Sequence, residues 1–147
     1  MTFVLGLLVA IAGALTTIQS GFNGTLNKAL EAPVLTGLIV VAGNILVYAA
    51  AGVFVGFPWP SSGRFGAVPW WAWFGGILGG LYVLSVIFFA QKLGAAIFTG
   101  VTVTAGIVTS VILDHFGLVG FEQHSAGLWR ILGCLAMIGG LTVVCVF

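Results

Sequence analysis

The stretch Pro33–Phe57, PVLTGLIVVAGNILVYAAAGVFVGF, is twenty-five residues long and contains no charged side chain. A helix needs about 20 apolar residues to cross the hydrocarbon core of a bilayer, so this segment alone is long enough to span it. Pro33 suits the first turn of such a helix, where its missing N–H costs no hydrogen bond. The polar and proline-rich segment Phe57-Pro58-Trp59-Pro60-Ser61-Ser62-Gly63-Arg64 then ends it.

Reading outward, four more spans appear. The first runs from Thr2 to about Ile18 and continues toward Lys28; the third covers about Trp70–Ala90, the fourth Ala95–Leu113 and the fifth Ala126–Phe147. The spans are therefore placed at 2–28, 33–57, 70–90, 95–113 and 126–147, within a single transmembrane domain over 1–147. Four spans would result if the third and fourth were misdivided. Gln91-Lys92-Leu93-Gly94 forms a tight polar corner, and the loop Asp114–Ser125 carries two acids and both histidines.

Composition supports the same class. Apolar residues make up 61% of the 147 positions and charged residues 5%, whereas soluble domains carry roughly a quarter charged residues. Seven charged side chains do not cover a soluble fold of this size; the alternative is a soluble subunit buried in a larger complex. The Ala12-Gly13-Ala14 triplet resembles a signal cleavage site, but no Lys or Arg precedes Lys28, so the segment is expected to stay as a first span. Cys134 and Cys145 share one helical face about 16 Å apart, too far for a disulfide within that helix. Near-neutral charge argues against nucleic-acid binding.

Orientation is balanced. Arg64 and Arg130 fall on the side of the N-terminus, Lys28 and Lys92 on the other, so the positive-inside rule gives no direction. Either a partner or an uncounted bias sets the orientation, or copies insert both ways and pair antiparallel. Trp59, Trp70, Trp71 and Trp73 crowd the connection between spans two and three, as an interfacial aromatic belt does; a cation cage is the alternative.

Polar groups inside the spans are the candidate site. Thr16, Gln19, Asn23 and Asn27 fall at offsets of three, four and four, along one helical stripe. Their amides offer both donors and acceptors, suited to a polar solute without fixed charge, or simply to a helix emerging into water. Asn44 and Tyr48 lie one turn apart in span two, as substrate contacts or as interhelical glue. Gly75, Gly76, Gly79 and Gly80 form overlapping small-xxx-small pairs that predict close helix packing, and Gly106 and Ser110, in register with Thr102 and beside Thr99, Thr104 and Thr109, predict the same or a polar cavity wall.

No Asp, Glu, Lys, Arg or His stands in the middle of a span. Glu31, Asp114, His115, Glu122 and His124 read as solvated loop residues. The histidines lack a metal-ligand spacing, and no hydrolase or cofactor motif is present, so neither an enzyme nor a cofactor-binding protein is expected.

The run Tyr82-Val83-Leu84-Ser85-Val86-Ile87-Phe88-Phe89-Ala90-Gln91 is similar to one in small multidrug resistance proteins, and with Gly106-Ile107-Val108 and Gly133–Gly140 it resembles a drug/metabolite transporter repeat. Gln19–Lys28 followed by Leu30-Glu31-Ala32-Pro33 more closely resembles the YdcZ-like branch of that superfamily, whose members are short five-span proteins. The likeness covers nearly the whole chain. It implies an all-α membrane protein of five transmembrane helices, a single repeat equivalent to half of a ten-helix carrier, in a bacterial inner membrane. In longer relatives the two halves are inverted around the substrate cavity. An antiparallel homodimer would supply that arrangement; a paralogous second half is the other route. Small multidrug resistance proteins carry an essential carboxylate eight residues before the first-span lysine, where this chain has Ser20. Export of cationic drugs by proton coupling is therefore disfavoured against a neutral or anionic small solute. The expected function is alternating-access transport with Gln19, Asn23, Asn44, Tyr82, Ser85 and Thr102 lining the cavity. A channel lined by the threonines of span four and a non-transporting membrane subunit or assembly factor are the rivals.

Overall fold

The computed structural model describes residues 2–57 and 59–147; Pro58, part of the turn expected after the second span, lies outside them. Among the described residues every regular element is helical, and five helices are long and apolar enough to cross a membrane. They are α1 (Thr2–Leu30), α2 (Pro33–Val55), α3 (Trp70–Leu93), α4 (Ala95–Phe116) and α5 (Leu128–Val146). The chain separates into two compact units, one reaching Gln91 and the other covering Lys92–Phe147.

In the first unit, α1 and α2 form a hairpin joined by only Glu31 and Ala32. The Glu31 N–H closes α1 by donating to the Asn27 carbonyl at 2.8 Å, and Glu31 takes a positive φ of 50° to do so. That conformation normally belongs to glycine at a helix end. Pro33 then opens α2, and the Thr36 N–H donates to the Ala32 carbonyl at 2.9 Å. At the other end of α2, Gly56 reverses the chain at φ 85°, so that the Phe57 ring lies over Gly52, where a Cβ would collide with it.

Helix α3 is not uniform. It opens as a 3-10 turn over Trp70–Phe74, runs as an α-helix over Gly75–Ser85, widens to a π-helix over Val86–Ala90 and closes with the turn Gln91–Leu93. The π segment packs against α1 and α2, and its Val86, Ile87 and Ala90 are most of the buried apolar side chains of this unit. The wider turn re-aims the residues that follow it, which is the usual reason such segments occur at functional sites. Before α3, Phe65 stacks on Trp73 at 6.4 Å with an interplanar angle of 11° and sits 6.4 Å from Trp59. Trp59, Trp70 and Trp73 remain largely exposed, as headgroup-level aromatics are.

In the second unit α4 and α5 pack along their length. Gly100 lets them approach; a Cβ there would lie 2.6 Å from Leu141 Cδ1. Helix α4 ends in a Schellman motif: Gly117 is left-handed at φ 61°, its N–H donates to the Asp114 carbonyl, and the Leu118 N–H donates to the Leu113 carbonyl at 2.9 Å. Asp114 and His115 thus belong to the last turn of α4, not to the loop. A tight turn follows, with Val119 and Gly120 both at positive φ and the Phe121 N–H donating to the Leu118 carbonyl.

Candidate functional site

The polar residues of α1 do not all face one way. The buried ones are Ser20 and Asn23, with Asn27 half-buried, at offsets of three and four; Gln19 faces outward. Asn23 and Asn27 thus lie on the Thr16–Gln19–Asn23–Asn27 line that the spacing predicts, but one turn earlier Ser20 rather than Gln19 is the buried residue. At Gly24 the side chain of Gln91 lies so close that a Cβ would overlap its Cγ, Cδ and Nε2 atoms. Gln91 stands at the end of the π segment, which carries it there.

Helix α2 adds Thr36, the most deeply buried side chain described, at 0% exposure. Its neighbour Gly37 faces Leu84 and Ile87 of α3, with room for ordinary contact only. In the first unit Asn23, Gly24 and Thr36 are buried and Asn27 half-buried, at the end where α1 and α2 are joined. Two oxygens there, Asn27 Oδ1 and Thr36 Oγ1, are buried without a hydrogen-bond partner. From this end, α2 and α3 diverge around a cavity of about 310 Å³ walled by Gly37, Val41, Ile77, Gly80 and Leu84.

The remaining candidates fall elsewhere. Asn44 stands at the middle of α2 and, like Tyr48, faces outward; its amide makes no side-chain hydrogen bond among the described residues. Tyr82 is 47% exposed on the outer surface of α3. Ser85 satisfies itself by donating to the Tyr82 carbonyl at 2.7 Å, and Thr102, in the second unit, donates to the Phe98 and Thr99 carbonyls. Such back-bonding leaves a hydroxyl with little need of a ligand. The glycines at 75, 76, 79 and 80 face open space within 4 Å, and so does Gly106. Ser110 returns its hydroxyl to the Gly106 carbonyl at 2.9 Å. Among the described residues a Cβ at any of these glycines would touch nothing, whereas one at Gly100 would meet Leu141 in the α4–α5 seam.

The second unit holds the charged chemistry. Arg130 Nη1 donates to Asp114 Oδ2 at 3.2 Å, across a groove of about 370 Å³ that Ser110, Cys134 and Met137 also line. His115 anchors the loop twice: its Nδ1 accepts from the Ala126 N–H at 3.1 Å and its carbonyl accepts from Gln123 Nε2 at 3.0 Å. His124 N–H donates to the Asp114 carbonyl at 2.8 Å. The sequence reading placed Gln91 in a corner and used Arg130 only for orientation, and neither they nor Thr36 were among its candidate site residues. The only signal for Thr36 was a hydroxyl near the start of an otherwise apolar helix. Among the described residues, no three of His, Cys, Asp and Glu cluster as metal ligands do.

These features define a polytopic, all-helical membrane protein with a neutral polar corner between its first three helices. Over residues 4–143 the chain matches the family model described as "Putative inner membrane exporter, YdcZ". It belongs to that family, the YdcZ branch of the drug/metabolite transporters, and is a multi-pass inner-membrane protein. A search of curated proteins and a search of solved structures found no match.

Proposed function

We propose that the chain is one half of a secondary exporter, working by alternating access as an antiparallel homodimer and moving a small polar solute that is neutral or anionic. The observation that carries this reading is Asn44. A carboxamide at mid-span, facing outward and unpaired, costs free energy against hydrocarbon and is relieved when a second polar surface covers it. Gln19 and Tyr82 also point out of the protomer, and the glycine face of α3 leaves room for a closely packed neighbour. A partner in the opposite orientation meets the even split of basic residues, Arg64 and Arg130 against Lys28 and Lys92. Neutral amides favour a solute recognised by hydrogen bonds over one recognised by charge.

Two measurements test this. Proteoliposomes screened against small polar solutes are expected to show saturable counterflow, which a channel does not support. A cysteine introduced beside Arg64 is expected to be labelled from both sides of the membrane; labelling from one side only removes the antiparallel dimer.

A further inference from the structure

Several helical serines and threonines in this protein return their hydroxyls to a carbonyl one turn back, though Thr99, Thr104 and Thr109 do not. Ser20, Thr25, Ser110 and Thr142 donate to Thr16, Gly21, Gly106 and Ile138 at 2.8–3.0 Å. Thr36 does not. The Ala32 carbonyl within its reach accepts the Thr36 N–H alone, and the Thr36 hydroxyl is buried with no partner. Asn27 Oδ1 is the second orphan. Asn27 lies three residues before the end of α1 and Thr36 three residues after the start of α2, so both stand about 4.5 Å in from a two-residue corner, at one depth of the hairpin. A buried polar atom left without a partner is rare enough to call for an occupant.

The surroundings favour positive charge. Asn27 Oδ1 only accepts, so it needs a donor or a cation. The carbonyls of Lys28, Ala29 and Leu30 end α1 without an intrahelical N–H, which makes this the negative end of its dipole. The opposing positive end of α2 is weakened because Pro33 at its first position has no N–H. The two charges next in sequence, Lys28 and Glu31, are both exposed and of opposite sign. With neutral oxygens and no buried carboxylate, the site suits a singly charged ion rather than a divalent one, which takes carboxylate ligands.

We propose that the end of the first unit where α1 and α2 are joined binds a monovalent cation of the sodium class, with Asn27 Oδ1 and Thr36 Oγ1 among its ligands. Its use as the co-transported ion rests on the exporter reading; its binding does not. The test is therefore a binding measurement on the full chain in detergent, with no flux readout. Thermal unfolding is followed as sodium chloride replaces choline chloride at constant ionic strength. The midpoint is expected to rise with sodium concentration, as linkage to a bound ligand requires. Thr36→Ser keeps the hydroxyl and is expected to keep the shift. Thr36→Val removes it, and the sodium concentration giving half the effect is expected to rise about tenfold or more. Equal midpoints in sodium and choline overturn the proposal, as does an unchanged half-effect sodium concentration in Thr36→Val. A corner that holds water only gives the first of those outcomes.

Discussion

The side-chain amide of Gln91 lies directly on the backbone of Gly24, in space that any Cβ at position 24 would occupy. This contact ties the end of the π segment to the polar stripe of α1, one residue from Asn23. It gives Gly24 a specific reason to be glycine in the interior of a helix, where glycine otherwise costs about 1 kcal/mol relative to alanine.

The coupling has a measurable sign. Gly24→Ala alone is expected to destabilise by about 1–3 kcal/mol, as overpacking does, because Gln91 must leave. Gln91→Ala alone is expected to cost less. With Gln91 already shortened, Gly24→Ala should gain its helix propensity, so the double variant should be more stable than Gln91→Ala. A double-mutant cycle of unfolding free energies measures this; simple additivity refutes the contact.

Among the described residues two non-glycine residues hold left-handed backbone, Glu31 at φ 50° and Val119 at φ 48°. For a β-branched residue this conformation is an outlier, and each L residue in it carries roughly 1–2 kcal/mol of strain. Val119→Asn is expected to stabilise the tight turn by about 1 kcal/mol, since Asn tolerates that region. Glu31→Gly is expected to stabilise less, because glycine also loses more chain entropy on folding. Unfolding in detergent, followed by helix content, reads both.

Much of the fold was legible and the site much less so. Apolar runs such as Pro33–Phe57 fixed the number of helices, because span length is set by the bilayer rather than by side-chain detail. The π segment was not legible: Val86–Ala90 reads as ordinary apolar helix, and spacing gives no sign of its widened turn. On α1, Ser20 is buried where Gln19 was expected, and Gln91, read as part of a corner, reaches that helix. Thr102 and Ser85 look like site residues in sequence, yet back-bonding, which spacing does not report, occupies their hydroxyls. The fourth span was expected to end at Leu113, yet α4 runs on to Phe116 and closes on Gly117, and the loop's attachment to His115 depends on tertiary folding.

That attachment separates two kinds of interaction. The Arg130–Asp114 pair is single-bonded, with side chains 43% and 26% exposed, so screening leaves it worth less than about 1 kcal/mol. Arg130→Gln is accordingly expected to change stability little, and less still at high salt. His115→Phe removes the acceptor for the Ala126 N–H and is expected to speed amide hydrogen exchange over residues 117–127 while leaving the helices protected. Equal exchange in the two variants would show that the loop is held otherwise.

Asn44 and Gly79 together test what covers the outside of the first unit. Among the described residues the Asn44 amide is unbonded and faces outward, and a Cβ at Gly79 would meet no atom of a neighbouring element within 4 Å. Asn44→Leu replaces a polar group exposed to hydrocarbon by an apolar one, so an isolated protomer should become more stable. If a second copy hydrogen-bonds to Asn44, the same change should weaken association by about 0.6–2 kcal/mol. Gly79→Ile should leave the protomer folded but prevent close approach of a neighbouring helix. Energy transfer between labelled copies diluted in lipid measures association separately from folding. Loss of transfer in both variants with intact helices places the partner on this surface. Unchanged transfer in both means that the copies meet elsewhere or not at all.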